Sequence, residues 1–276
     1  MITTPQTPAR LARSAPPDNP EPGALRSPVI VLGYAFSGAA KLGQVLSGIP
    51  GLACTSGTGV LPMCHQAAVT WQQVDGRDGP MSSLARASVR TLAGTMIGAI
   101  LARTGGTRWC EISIASPTTA ATFLQLYPET TFLCVHRSCP DVIRDCVRAN
   151  PWGVAGTSMA EFAAVFPGSS AAAVAAYWAE CTDQLLRFES AHPAACHRIR
   201  YENLTDTMDQ QTQEILALVG LTPAGSTGLA QGPQHAAAAD DTLGGAETPI
   251  PAAHLPGPLV QRVNELQAHL RYPPVV

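Results

Sequence analysis

Short, unbroken apolar runs alternate along this chain with longer stretches in which apolar side chains return every three or four residues. The clearest run is Pro28-Val29-Ile30-Val31-Leu32-Gly33-Tyr34, rich in β-branched residues and free of charge. A strand buried on both faces has this pattern. Arg108 to Ile114, Thr130 to His136 and Cys196 to Tyr201 repeat it, each followed by helical periodicity. Helices are predicted over 39–47, 60–73, 82–103, 117–127, 139–149, 170–191 and 203–219, with a last one from Pro258 to Leu270. The helix from Ser170 has a serine pair for its cap. Its stripe of Val174, Tyr177, Trp178, Cys181, Leu185 and Phe188 reads as core. Strands that alternate with helices pair in parallel through right-handed crossovers. The expected fold class is therefore α/β, a three-layer α/β/α domain with a central parallel sheet.

Two segments break the alternation. Residues 1–27 are dominated by Pro, Ala, Thr and Arg without periodicity, and are expected to form a flexible arm that buries too little surface to order itself. Residues 222–256, rich in Gly, Ala, Pro and Asp, are expected to be a long irregular segment within one domain spanning 28–276. A chain of 276 residues, 46% hydrophobic and 13% charged, is long and apolar enough for a large core. The net charge of −3 offers no general attraction to nucleic acid or to an anionic membrane. Any polyanion must be met locally. The eight cysteines show no CxxC pair and no metal-ligand spacing, so buried thiols, a cytoplasmic location and no metal are expected. No stretch reads as a membrane span, and no secretory apolar core opens the chain.

Charge becomes informative at one position. Of seventeen basic residues, Lys41 is the only lysine, and it follows Ser37-Gly38-Ala39-Ala40 where the first strand turns into a helix. Strand, glycine loop and helix N-terminus bind anions through backbone N–H groups and the helix dipole. Gly38 lets the backbone approach such an anion, and Ser37 supplies a hydroxyl. The loop fails the Walker A pattern, because Ala39 and Ala40 stand between its glycine and lysine, which disfavours a nucleotide triphosphatase. A second loop, His136-Arg137-Ser138-Cys139-Pro140-Asp141, ends another strand. Ser138 with Asp141 reads as a capping box. Arg137 beside it reads equally as an anion ligand and as an arginine paired with a carboxylate near a cap. Thr55 to Gly59 reads equally as an ordinary turn and as a pocket lining with Trp71 and Trp152.

These loops, with Arg200-Tyr201-Glu202-Asn203-Leu204 and Leu218-Val219-Gly220-Leu221, resemble the sulfotransferase family that uses 3′-phosphoadenylyl sulfate (PAPS), over roughly residues 28–221. Arg262-Val263-Asn264-Glu265-Leu266 to Tyr272-Pro273-Pro274 is similar to the end of many bacterial members. The resemblance implies a P-loop-like sulfotransferase fold. It implies that Ser37, Gly38, Ala39, Ala40 and Lys41 cradle the 5′-phosphosulfate, and that Arg137 and position 145 face the 3′-phosphate. The family's basic loop residue is Phe36 here, its hydroxyl residues are Ala39 and Ala40, the lysine of its W-x-E-K element is Ile112, and its serine is Asp145. Asp145 is expected to repel a dianion unless it turns away or pairs with Arg144 or Arg148. Each lost charge-assisted hydrogen bond costs about 1.5–3 kcal/mol. The implied activity is sulfuryl transfer from PAPS to a small-molecule hydroxyl, free or carrier-bound, in secondary metabolism. His65, Glu111 and His136 are the candidates for the general base. The competing expectation is a protein of this fold that has lost PAPS and either acts on another anionic or carrier-bound substrate or serves as a non-catalytic pathway partner.

Overall fold

The computed structural model describes residues 27–76, 80–114, 116–206, 213–215, 217 and 255–275. Residues 1–26 of the expected arm, 222–254 of the expected irregular segment, and most of 207–219 of the predicted seventh helix lie outside the described residues.

Five strands form one parallel sheet: β1 (Val29–Leu32), β2 (Leu52–Ser56), β3 (Arg108–Ser113), β4 (Thr131–His136) and β5 (Cys196–Arg200), in the order β2-β3-β1-β4-β5. The helices are α1 (Ala39–Ser47), α2 (Val60–Asp75), α3 (Ser83–Thr104), α4 (Pro117–Leu126), α5 (Cys139–Ala149), α6 (Ala160–Val165), α7 (Ser170–Ala191), α8 (Tyr201–Asp206) and α9 (Gly257–His269). The central strand β1 has no exposed position, because alternate side chains enter opposite layers. Ile30 and Leu32 join a cluster with α2, α3 and α4, while Val29 and Val31 pack with Leu42 and Leu46 of α1. Helix α7 spans both environments. It gives Leu185 and Phe188 to the first cluster and packs Tyr177 and Trp178 with α5 and α9 in a third. The result is the three-layer α/β/α arrangement expected from the alternation of elements.

Strand β2 and helix α6 were not predicted, for a shared reason. β2 lies at the sheet edge, and in Leu52-Ala53-Cys54-Thr55-Ser56 only the first two residues are buried, so the continuous apolar run of a central strand is missing. The hydroxyl-rich segment from Thr55 thus begins inside a strand. α6 is only six residues long and fully buries none of them, too short for a helical period to register. Another difference concerns α3, whose 22 residues are long and apolar enough by length and composition to cross a membrane. Its buried stripe of Ala85, Val89, Ala93 and Ile97 packs against the sheet. All eight cysteines are free thiols, and Cys64, Cys110, Cys134, Cys139 and Cys146 are buried.

Candidate active site at the strand ends

The β1–α1 loop turns over the carboxyl edge of the sheet, where open α/β folds bind ligands. Gly33 N–H donates to the Ser113 carbonyl at 3.3 Å, which ties the loop to the end of β3. Ser37 N–H donates to the Tyr34 carbonyl at 3.0 Å, and Tyr34 N–H donates to Ser37 Oγ at 3.2 Å. The Ser37 hydroxyl is fully buried and shapes the loop from inside. Gly38 has φ 91°, and a Cβ there would lie 2.0 Å from Cδ2 of Tyr201. Only glycine meets both conditions.

Helix α1 begins immediately afterwards with no side-chain cap and no acidic residue in its first turn. The first intrahelical bond of this turn runs from Leu42 N–H to the Gly38 carbonyl, so the N–H groups of Ala39, Ala40 and Lys41 have no partner within the helix. Lys41 is half-buried and makes no ion pair among the described residues. An ammonium in a first turn opposes the helix dipole by about 0.3–1 kcal/mol. A bound anion reverses that sign.

The β4–α5 loop is built differently. The Arg137 guanidinium pairs with Asp145 at 2.5 Å, donates to the Phe36 carbonyl at 3.1 Å, and lies over the Tyr201 ring at 4.1 Å. Its backbone is fixed as well. The Tyr34 hydroxyl bonds both its carbonyl and its N–H at 3.2 Å, and Trp178 Nε1 donates to the same carbonyl at 3.0 Å. The structure thus brings Ser37, Gly38, Lys41 and Arg137 into one pair of interlocked loops. The N-terminus of α5, unlike that of α1, is filled by the protein itself. Ser138 Oγ accepts from Asp141 N–H at 3.4 Å, Ser138 N–H donates to Glu202 at 3.4 Å, and Cys139 N–H donates to Gln267 of α9 at 3.0 Å.

Asp145 is held by Arg137 first and by Arg144 Nε at 3.4 Å. Arg144 also pairs with Asp141 at 2.6 Å, and Arg200 approaches Glu202 at 3.8 Å. Arg137, Arg144 and Arg200 are thereby matched by Asp141, Asp145 and Glu202.

The three candidate bases occupy three different settings. Glu111 is 3% exposed; it accepts from Thr58 N–H and Thr58 Oγ1 at 2.9 Å and from Thr55 Oγ1 at 2.6 Å. Burial pushes its carboxyl above the ordinary range, and the Thr55 and Thr58 bonds oppose that rise. Its bonds fasten the loop after β2 to β3. His136 is fully buried, with Nε2 2.7 Å from Glu189. Burial alone would raise the Glu189 carboxyl, but His136 and Arg198 outweigh it and hold the group below its usual value. His65, on α2, is half-buried, and its Nδ1 lies 2.9 Å from Thr122 Oγ1 of α4. The Thr122 hydroxyl donates to the Thr118 carbonyl at 3.1 Å. It therefore accepts from Nδ1–H, which leaves the Nε2 lone pair of His65 as the acceptor.

Trp71 packs against the α2–α4 cluster, whereas Trp152 is 99% exposed after α5. A groove of about 520 Å³ between α7 and α9 contains none of the candidate residues, and its Asp183 is paired with Arg187 and Arg262. Among the described residues no group of three His, Cys, Asp or Glu side chains could hold a metal ion. Tyr201 over Gly38 and Gln267 at the α5 terminus escaped sequence reasoning. Tyr201 lay within a motif, but nothing local marked it as the ceiling of a distant glycine.

A family model described as the sulfotransferase family matches residues 28–224. Among solved structures, the sulfotransferase domain from the curacin biosynthetic pathway is similar at TM-score 0.62 and 17% identity, covering 90% of this chain and 99% of that one. A sulfotransferase from Alicyclobacillus acidocaldarius is similar at TM-score 0.50 and 14% identity, covering 91% and 98%. No curated protein matches significantly in sequence.

Proposed function

The chain belongs to the sulfotransferase family, and we propose that it moves a sulfuryl group from a nucleotide phosphosulfate to the hydroxyl of a small-molecule acceptor. PAPS is the donor that the family resemblance implies. The observation that carries the reading is the uncapped N-terminus of α1, with Lys41 in its first turn making no ion pair among the described residues. Three free N–H groups and one ammonium suit the phosphosulfate end of such a donor. The other end fits less well, because the Arg137 guanidinium is already paired with Asp145.

The acceptor oxygen forms a bond to sulfur while the bond from sulfur to the bridging phosphate oxygen breaks. In this proposal His65 Nε2 takes the acceptor's proton, Lys41 and the α1 N–H groups stabilise the departing phosphate, and Glu111 positions the loop through Thr55 and Thr58. The acceptor is a small molecule of secondary metabolism, free or carrier-bound, and the protein works in the cytoplasm. Incubation with a phosphosulfate donor and a panel of phenols and alkanols, read by mass spectrometry, tests the reading. Sulfated product that disappears in Lys41→Ala supports it. No product with any acceptor, together with no nucleotide binding, refutes it.

A second reading is a protein of this fold that has given up the nucleotide. The Arg137–Asp145 pair favours it, and calorimetric silence toward every adenine nucleotide is its expected result.

A further inference from the structure

We infer that the donor site takes a nucleoside 5′-phosphosulfate with free ribose hydroxyls and discriminates against a 3′-phosphate. The inference rests on the sulfuryl-transfer reading and narrows its donor. Two strand-end loops invite anions, yet only one is electrostatically open. At α1 the first-turn N–H groups and Lys41 await a partner. At α5 the corresponding N–H groups are occupied by Ser138, Glu202 and Gln267. Among the described residues Arg137 pairs with Asp145, Arg144 pairs with Asp141 and Asp145, and Arg200 lies 3.8 Å from Glu202.

A donor with a 3′-phosphate brings about four negative charges at neutral pH, two of them on that group. One ammonium and one helix terminus serve the phosphosulfate; no uncommitted cation is left at Arg137, whose side chain is 6% exposed under the Tyr201 ring. A dianion there meets the Asp145 carboxylate, which is held beside Arg137. A carboxylate in that position accepts from a ribose hydroxyl and repels a phosphate, as in the discrimination between NAD and NADP. Asp145 retains 16% exposure, enough to meet a hydroxyl. The reaction balances without further reagents. The acceptor's O–S bond forms, the sulfur–oxygen bond to the 5′-phosphate breaks, the proton passes to His65, and a nucleoside 5′-monophosphate leaves.

Calorimetry of the full chain at fixed ionic strength compares adenosine 5′-monophosphate with adenosine 3′,5′-bisphosphate, while initial rates compare adenylyl sulfate with PAPS. The wild type is expected to bind the monophosphate at least about tenfold more tightly and to prefer adenylyl sulfate as donor. Asp145→Ser is expected to weaken the monophosphate and strengthen the bisphosphate, which inverts the order. Equal or tighter bisphosphate binding by the wild type, or transfer from PAPS alone, overturns the inference and leaves sulfuryl transfer standing. No binding of either nucleotide and no transfer from either donor overturns both. The wild-type comparison decides the matter even where Asp145→Ser does not fold.

Discussion

Replacing Gly38 with alanine tests the joint between the two loops. The residue sits at φ 91°, and alanine there costs about 1–2 kcal/mol through the clash of Cβ with the backbone. The added Cβ also lands 2.0 Å from Cδ2 of Tyr201, closer than any real contact, so the ring must move. Moving it breaks the stacking of Arg137 at 4.1 Å, a contact worth about 0.5–2 kcal/mol. The expected loss is therefore about 1.5–4 kcal/mol in total. Urea denaturation of the wild type, Gly38→Ala, Tyr201→Ala and the double variant separates the parts. With Tyr201 truncated, Gly38→Ala should cost only its backbone share, giving a coupling of about 1 kcal/mol or more. Equal costs in the two backgrounds, within about 0.3 kcal/mol, would show that Tyr201 is not what excludes a side chain at Gly38.

Lys41→Ala should raise stability by about 0.3–1 kcal/mol, since it removes a cation from a helix N-terminus, while weakening adenosine 5′-monophosphate binding about tenfold. Lower stability with unchanged affinity would contradict both halves. His65→Gln should lower kcat by about a hundredfold or more, with melting temperature little changed; a drop below about threefold removes His65 from the reaction. Glu189 has a carboxyl held below its ordinary 4.5, so its contribution to stability is present above that pH and is lost as pH falls through the lowered value. Melting curves of Glu189→Gln should accordingly be flatter on the acid side than those of the wild type, and parallel curves would refute the assignment. Glu111 acts with the opposite sign. Its raised carboxyl makes stability fall as pH rises above 4.5, a slope that Glu111→Gln should abolish in the same experiment.

The sheet's interior was legible because β1 and β4 are buried in nearly unbroken runs, and apolar periodicity together with the serine caps of α5 and α7 marked α1, α5 and α7 at their observed bounds. The edge strand β2 was not, since its last three residues face solvent or polar partners and follow no apolar pattern. The same distinction runs through the site. Gly38 and Lys41 stood out by residue type and position in a strand-to-helix turn. Whether Ser37 faces ligand or loop depends on a hydrogen bond to Tyr34, and whether Arg137 is available depends on a carboxylate one helical face away. Periodicity reports which side of an element is buried. It carries no information about which buried polar groups have found each other. The proton on His65 is an extreme case, fixed by where a threonine on another helix sends its own hydrogen.

The rarity of lysine drew attention to the β1–α1 loop, but its physical meaning lies in the comparison with arginine. Among the described residues Arg137 and Arg144 each pair with a carboxylate, and Arg200 lies 3.8 Å from Glu202. Lys41 is a compact charge at a helix terminus without such a partner. Among the described residues, positive charge near the sheet's carboxyl edge therefore divides into arginines that lie against carboxylates and Lys41, which makes no ion pair and which the proposed reading assigns to the ligand. A donor with one anionic end suits that division, whereas a donor with two sets its second anion against the Asp145 carboxylate. On the proposed reading the Arg137–Asp145 pair is thus both a structural clasp and the feature that sets which nucleotide the site accepts.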